Sequence, residues 1–212
     1  MFYSPFWDDF CTSQDISSFH ECTDPLREGV LGTLMKRNMS SVVSYDCVFS
    51  DPPDYPAEHL HVEAHPGQSD YSIYLNGVFL THFGTTVEDD RIVPVRFLTP
   101  GPGDPHSLLL PGSFPEFWGE SWNDQRSYFY PRSFTWAQDR YLRIISYSDH
   151  DFARIGRWHE MVIDTRFHVV ILYAGHFNEG HYHVWRMTRL TQRDNIKSDQ
   201  VLGETYKWSS LG

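Results

Sequence analysis

The chain has 212 residues, of which 40% are hydrophobic and 16% aromatic, so it has enough apolar material for one folded domain and is not expected to be disordered. Seventeen basic residues stand against 28 acidic ones, for a formal net charge of −11. This charge disfavours a nucleic-acid partner, because a negative field repels phosphate. No run of the sequence approaches the ~20 apolar residues that a membrane-spanning helix needs, so we expect no membrane span.

The N-terminal stretch "MFYSPFWDDFCTSQD" has neither the basic region nor the apolar region of a secretory signal, and we therefore expect a cytoplasmic protein unless a leader has been removed. The three cysteines, Cys11, Cys22 and Cys47, are an odd number and form no CxxC motif. Free thiols are accordingly expected rather than a framework of disulfides.

Residues 1–40 are predicted to form an N-terminal segment with one or two short helices, packed against a single β-domain that spans residues 41–212. Within "TDPLREGVLGTLMKR", Thr23 or Asp24 can cap a helix, and Pro25 suits its first turn. No internal repeat and no linker divides the remainder of the chain.

The next part of the chain predicts strands. "SVVSYDCVF" is rich in β-branched and aromatic residues, and "EHLHVEAH" alternates between apolar and polar residues. In "YSIYLNGVFLTHF", Asn76-Gly77 separates two apolar runs, which predicts a tight hairpin because both turn residues tolerate positive φ. "RIVPVRFLT" is a further strand, with Pro94 at an edge or a bulge.

Residues 99–125 are rich in proline and glycine, and a loop of this length often serves as a functional lid. Strands resume in "RSYFYPRSFTW" and "DRYLRIISYS", and a hairpin at residues 164–190 ends the pattern. Seven to nine short strands with little helical periodicity predict an all-β fold, an antiparallel barrel or sandwich with a short helical N-terminal segment.

Two stretches, "MVIDTRFHVVILYAG" and "YHVWRMTR", resemble the last two barrel strands of the lipocalins (calycins), and most of all those of the lipocalin domain of violaxanthin de-epoxidases. In that family an Asp and an aromatic residue open one strand, and a Trp precedes an Arg near the end of the next. The matching positions here are Asp164, Phe167, Trp185 and Arg189. The resemblance implies that the fold is an antiparallel lipocalin-like β-barrel with a short helical N-terminal segment. Such a barrel would bind an apolar small molecule, with Trp185 and Arg189 packed at one end.

The alternation in "HLHVEAH" places His59, His61, Glu63 and His65 on one face of a strand, although the sequence does not say whether this face points inward. Imidazoles and a carboxylate on one face suit zinc, iron or manganese, and the pattern is similar to the HxH and Glu of metal-dependent cupins. The alternatives are a solvated strand face and metal-free acid–base chemistry. We predict no metal and no cofactor, with His61 and Glu63 as catalytic groups.

A second polar group, "SYSDHDFARIGRWHE", lies beside a strand end and contains Asp149, His150, Asp151, His159 and Glu160. A histidine oriented by a carboxylate is an effective general base near neutral pH. Ordinary turn chemistry is the alternative. Asp149 is predicted as the third catalytic residue.

Aromatic rings can line a cavity for an apolar ligand, and tyrosine hydroxyls can orient it. Core packing explains many aromatic side chains equally well. The predicted ligand-binding residues are Tyr74, Trp118, Trp122, Tyr128, Tyr130, Trp136, Tyr173 and Trp185.

The sequence therefore predicts a cofactor-independent biosynthetic enzyme of the isomerase or cyclase type. Its substrate would be an apolar metabolite such as an isoprenoid or polyketide, folded into a reactive conformer while a few polar groups move protons. A non-catalytic carrier of a hydrophobic ligand and a cupin-like metalloenzyme remain as alternatives. The protein is expected to be a monomer or homodimer without a nucleic-acid partner.

Overall fold

The computed structural model describes residues 2–22, 42–51, 55–64, 70–84, 130–167, 169–177, 180–193 and 200–209. The helix predicted after Thr23, the strand at residues 91–99 and the lid at residues 99–125 lie outside these ranges. No helix within them is long and apolar enough to cross a membrane. The elements are α1 Pro5–Ser13, β1 Phe19–Cys22, β2 Val42–Asp51, β3 Tyr55–Ala64, β4 Asp70–Leu75, β5 Val78–Gly84, β6 Tyr130–Ala137, β7 Tyr141–Tyr147, α2 Asp149–Ile155, β8 Trp158–Asp164, β9 Val169–His176, β10 Tyr182–Arg193 and β11 Val201–Thr205.

All of the described strands belong to one antiparallel sheet in the order β1-β6-β7-β8-β9-β10-β2-β3-β4-β5, with β11 added beside β10. The prediction of an all-β antiparallel fold with a short N-terminal helix is thus confirmed. Within the described strands the sheet is open, and β1 and β5 form its edges rather than meeting to close a barrel.

The hairpin predicted at Asn76-Gly77 joins β4 to β5. Both turn residues have positive φ, 50° for Asn76 and 77° for Gly77, as the two-residue hairpin turn requires. The prediction is confirmed, because the turn chemistry is local and does not depend on the rest of the fold.

The two faces of the sheet can be told apart by α1, which packs on the side that we call the helix face. Here Phe6 contacts the rings of His176 and Tyr182, and Phe10 contacts Tyr141 and Trp208. The other side, which we call the opposite face, is covered as well. Every residue of β8 and β9 is consequently buried.

The sequence of α1 explains both its start and its position. Ser4 caps the helix by accepting a hydrogen bond from the backbone N–H of Trp7, and Pro5 begins it. Phe6, Trp7 and Phe10 are buried together, so the N-terminal segment forms part of the core.

A buried carboxylate ties the C-terminal segment to the sheet. Asp164 is fully buried; Arg140 donates to its two oxygens over 3.2 and 2.6 Å, and the Tyr206 hydroxyl donates to it over 2.9 Å. Burial, followed by the nearby Asp164 charge and hydrogen bond, raises the pKa of Tyr206 well above its usual value, so the hydroxyl remains a donor. Arg140 also pairs with the half-buried Glu204 over 3.0 Å, whereas Asp164 is the fully buried anion of this network.

We therefore expect Asp164→Asn to lower the free energy of unfolding by about 3 kcal/mol, because it removes the fully buried charge to which Arg140 and Tyr206 donate. Asp149→Asn is the matched control: that side chain is 79% exposed and pairs with Arg132 over 3.0 Å. Its removal should cost less than about 0.5 kcal/mol. Urea unfolding of both variants measures the difference, and equal losses would contradict the role given to Asp164.

Candidate functional site

The start of β8, the end of β9 and the start of β10 bring a polar and aromatic group together on the opposite face. We call it the His159 site, and it consists of Arg157, His159, Tyr173, Phe177, His183 and Trp185. The strand register pairs His159 with Gly175 and Gly175 with His183, and in the row below it pairs Met161 with Tyr173 and Tyr173 with Trp185. Arg157, Phe177 and His183 are half-buried, and the other three are buried, so the site runs from the surface into the core.

A chain of hydrogen bonds fixes the protonation of His159. The Arg157 Nε–H donates to His159 Nε2 over 3.2 Å, and His159 Nδ1 lies 2.8 Å from the Tyr173 hydroxyl oxygen. Because a guanidinium can only donate, Nε2 must accept, and the ring proton of a neutral His159 resides on Nδ1. Tyr173 therefore accepts this proton in a hydrogen bond.

The environment keeps His159 neutral. Burial lowers the pKa of His159 well below its ordinary value, and the positive charge of Arg157 acts in the same direction. A neutral Nδ1–H next to a tyrosine oxygen is a fixed hydrogen-bond donor and does not change its charge in the physiological range.

Gly175 makes the close approach of His159 possible. A Cβ at this position would lie 3.2 Å from His159 Cε1 and 3.4 Å from its Nδ1. The His159 ring thus occupies the space that a side chain at position 175 would fill.

Aromatic rings form the rest of the site. The Phe177 ring lies 4.7 Å from that of His183, edge to face, and the Arg157 guanidinium lies 5.1 Å from the Phe177 ring centre. Trp185 is only 2% exposed, and its indole Nε1 has no hydrogen-bond partner of normal geometry within the described residues. The Trp185 side chain acts to lower the pKa of the nearby Cys47 thiol, but burial has the larger effect and raises this pKa.

The helix face of the same strands carries a separate buried network. The Glu160 carboxylate accepts hydrogen bonds from Ser4, from Arg143 Nε over 2.9 Å and from His176 Nε2 over 3.0 Å. Burial alone would raise the pKa of Glu160, but Arg143, His176 and Ser4 outweigh it and hold the pKa below its usual value. Glu160 and His159 are neighbours in sequence but point to opposite faces, so they do not form the histidine–carboxylate pair that the stretch at residues 146–160 suggests.

The part of the helix face that α1 does not cover carries three of the predicted site residues, namely His61, Glu63 and Tyr74. His61 is half-buried beside Tyr74, with ring centres 5.7 Å apart, and Glu63 is exposed two residues further along β3. The inward face of this strand is instead formed by Leu60 and Val62. Asp149 begins α2 far along the sheet, so the structure does not bring the three predicted catalytic residues together.

Three of the predicted aromatic residues share the opposite face. Tyr173 and Trp185 are direct neighbours in the His159 site, and Trp136 lies near the edge strand, where its ring stacks on His20. The side chain of Tyr130, the first residue of β6, is not described. Trp118, Trp122 and Tyr128 lie outside the described residues, and their roles stay predictions.

Neither a metal site nor a reactive thiol emerges from the part of the chain that the structure covers. No group of three or more His, Cys, Asp or Glu side chains is placed there to hold a metal ion, and His65 lies outside it. Cys11 and Cys47 are buried free thiols, and the side chain of Cys22 is not described. Burial raises the pKa of Cys11 to about 12, so this thiol stays protonated and is a poor nucleophile.

The sequence does not reveal the partners of Tyr173 by any motif. His159 belongs to β8 and Arg157 directly precedes it; β8 is buried on both faces and so lacks the alternation that marks a half-buried strand. The i, i+2 spacing of Arg157 and His159, and again of His181 and His183, is the one signal that could have placed these residues on common faces.

The neutral state of His159 makes stability depend on pH. An unfolded histidine takes up a proton as the pH falls below about 6.5, whereas folded His159 does not. The contribution of His159 to the free energy of unfolding is therefore complete above this pH and is lost below it. The free energy of unfolding of the wild type should therefore decrease between pH 7.5 and pH 5.5. In His159→Gln we expect this decrease to be smaller by about 1.4 kcal/mol. Urea unfolding at both pH values measures it. His150→Gln, at a side chain that is 78% exposed, should keep the loss of the wild type, and an unchanged loss in His159→Gln would contradict the assignment.

Comparisons with known proteins identify no relative of this chain: no family model, no curated protein and no solved structure matches it.

Proposed function

We propose that this protein is a cofactor-independent enzyme of the isomerase or cyclase type, which binds an apolar metabolite at the His159 site and promotes its rearrangement by acid–base chemistry. The observation that carries the proposal is the hydrogen-bonded chain from Arg157 through His159 to Tyr173. It is a polar relay in a largely apolar part of the sheet, where buried groups with shifted pKa values often mark a functional site.

In the proposed reaction Tyr173 is the acid. Its hydroxyl donates a proton to a carbonyl or hydroxyl oxygen of the substrate, and the negative charge left on the phenolate is stabilised by the His159 Nδ1–H. The Arg157 guanidinium polarises His159 from its other nitrogen. Since these donors are in place before the reaction, they stabilise the developing charge without rearrangement.

His183 is the proposed base. It lies across Gly175 from His159 and is half-buried, so it can exchange protons with solvent. An acid and a base on one face let a proton leave one substrate atom while another is protonated, as isomerisation and cyclisation require. Trp185 and Phe177 supply apolar contacts, and the Trp185 indole N–H offers a further donor to a substrate oxygen.

The first experiment is native mass spectrometry of the protein, freshly purified without detergent, to identify an apolar molecule that copurifies. That molecule is then incubated with fresh protein and its conversion is followed. Conversion supports the enzyme, and a molecule that is bound but unchanged supports the carrier alternative. A protein that retains no apolar molecule contradicts both, and a stoichiometric transition metal would instead favour the cupin-like alternative.

We expect Tyr173→Phe to lower kcat for that conversion by about 100-fold while leaving ligand affinity nearly unchanged, because only the acidic proton is lost. Tyr182→Phe is the matched control: this tyrosine lies on the adjacent strand β10 but packs on the helix face, against Phe6. Its conversion rate should equal that of the wild type. Equal rates for both variants would remove Tyr173 from the mechanism.

Gly175→Ala tests the same relay without touching a polar group. The new methyl would crowd the His159 ring at 3.2 Å, and the displaced ring would lose its alignment with Tyr173. We expect kcat to fall at least about tenfold, since small errors in position are costly in catalysis. Gly203→Ala is the control, because the nearest atom to its added Cβ, the Leu190 carbonyl oxygen, is 4.0 Å away. A Gly175→Ala variant as active as this control would contradict the proposed relay.

A further inference from the structure

A second histidine is oriented by a carboxylate on the other side of the sheet. His61 on β3 and Asp46 on β2 are directly opposite each other, and His61 Nδ1 lies 2.6 Å from Asp46 Oδ1. The second oxygen of Asp46 accepts a hydrogen bond from Arg189 Nε, also over 2.6 Å. Three neighbouring strands, β3, β2 and β10, thus form the line His61–Asp46–Arg189.

This arrangement fixes which nitrogen of His61 is available. Because an ionised carboxylate can only accept, the bond to Asp46 requires a proton on Nδ1. In the neutral ring, Nε2 therefore carries the lone pair, and within the described residues no hydrogen bond engages it. Arg189 holds Asp46 in place, and with it the ring orientation of His61.

The line is open to solvent, in contrast to the His159 site. The side chains of His61 and Arg189 are 32% and 58% exposed, and that of Asp46 is 26% exposed. Next to His61 lies Tyr74, whose ring meets Phe79 edge to face at 5.7 Å, and Phe79 is 47% exposed. An accessible, oriented imidazole thus adjoins a small aromatic surface.

We infer that His61, Asp46 and Arg189 form a second catalytic site, in which His61 Nε2 acts as a general base in the hydrolysis of esters of aromatic alcohols. The flat alcohol part of such an ester fits against Tyr74 and Phe79, and its neutral charge avoids repulsion by a chain of net charge −11. The inference is independent of the proposed function, since it concerns different residues on the other face of the sheet.

The reaction needs no co-reactant other than water. His61 Nε2 takes a proton from a water molecule while the water oxygen bonds to the acyl carbon and the carbonyl electron pair moves to oxygen. When this pair returns, the bond between the acyl carbon and the aryloxide breaks. The proton on His61 passes to the aryloxide, which gives a carboxylic acid and a phenol and restores the neutral imidazole. His61 is the catalytic residue, while Asp46 and Arg189 position it.

The test uses p-nitrophenyl acetate and follows the release of p-nitrophenolate by the full-length protein. We expect His61→Gln to lower kcat/KM about 100-fold, the usual scale of general-base catalysis. The matched control is His59→Gln, because His59 precedes His61 by two residues on the same face of β3 but is exposed and does not pair with Asp46. Its rate should equal that of the wild type.

Asp46→Asn separates the positioning of the base from the binding of the ester. It should lower kcat while KM for p-nitrophenyl acetate stays constant, because the aromatic surface is unchanged and only the orientation of the base is lost. Tyr74→Ala should do the reverse and raise KM. The inference is overturned if the wild type hydrolyses the ester no faster than His61→Gln, or if His59→Gln loses as much activity. It is also overturned if Tyr173→Phe, and not His61→Gln, abolishes hydrolysis, since the reaction would then belong to the His159 site.

Discussion

The Glu160 carboxylate is the interaction on which much of this structure depends. It is fully buried between the sheet and α1, and the donors that satisfy it come from the N-terminal segment, from β7 and from β9. A buried charge is tolerated only when it is paired and hydrogen-bonded, so Ser4, Arg143 and His176 have little freedom to move. The Trp158 ring stacks on His176 at 3.6 Å and fixes that side chain further. The position of α1 and three neighbouring strands, β7, β8 and β9, are therefore linked through one group.

Two consecutive residues of β8, His159 and Glu160, connect this network to the candidate site. Because successive side chains of a strand point to opposite faces, holding Glu160 under α1 directs His159 to the other side, where it meets Arg157 and Tyr173. One face of the strand contributes structural charge and the other contributes a neutral relay. A register slip of one residue would exchange them and place a carboxylate among the aromatic rings of the His159 site, so the two environments constrain each other.

An irregularity in β10 has a comparable effect on the second site. Between Met187 and Arg189 the register with β2 shifts by one residue. In a regular strand Trp185 and Arg189 would share a face, since they are four residues apart. The shift turns Arg189 to the helix face, where it binds Asp46, and leaves Trp185 buried on the other side. The lipocalin resemblance itself stays a prediction.

The sequence alone determined what depends on neighbouring residues: the all-β class, the hairpin at Asn76-Gly77, and the alternation that separates His59, His61 and Glu63 from Leu60 and Val62. Turn chemistry and strand periodicity are local, and they can be read from short stretches. Only the tertiary structure decided which face of each strand is covered. It brings His61 into a hydrogen bond with Asp46 and not near Asp149, and it brings Tyr173 into a hydrogen bond with His159. Strand order, the irregularity in β10 and burial on both faces of β8 and β9 arise from contacts between residues that are far apart in the chain. No local pattern records those contacts, and for this reason the partners of Tyr173 and His61 could not be predicted.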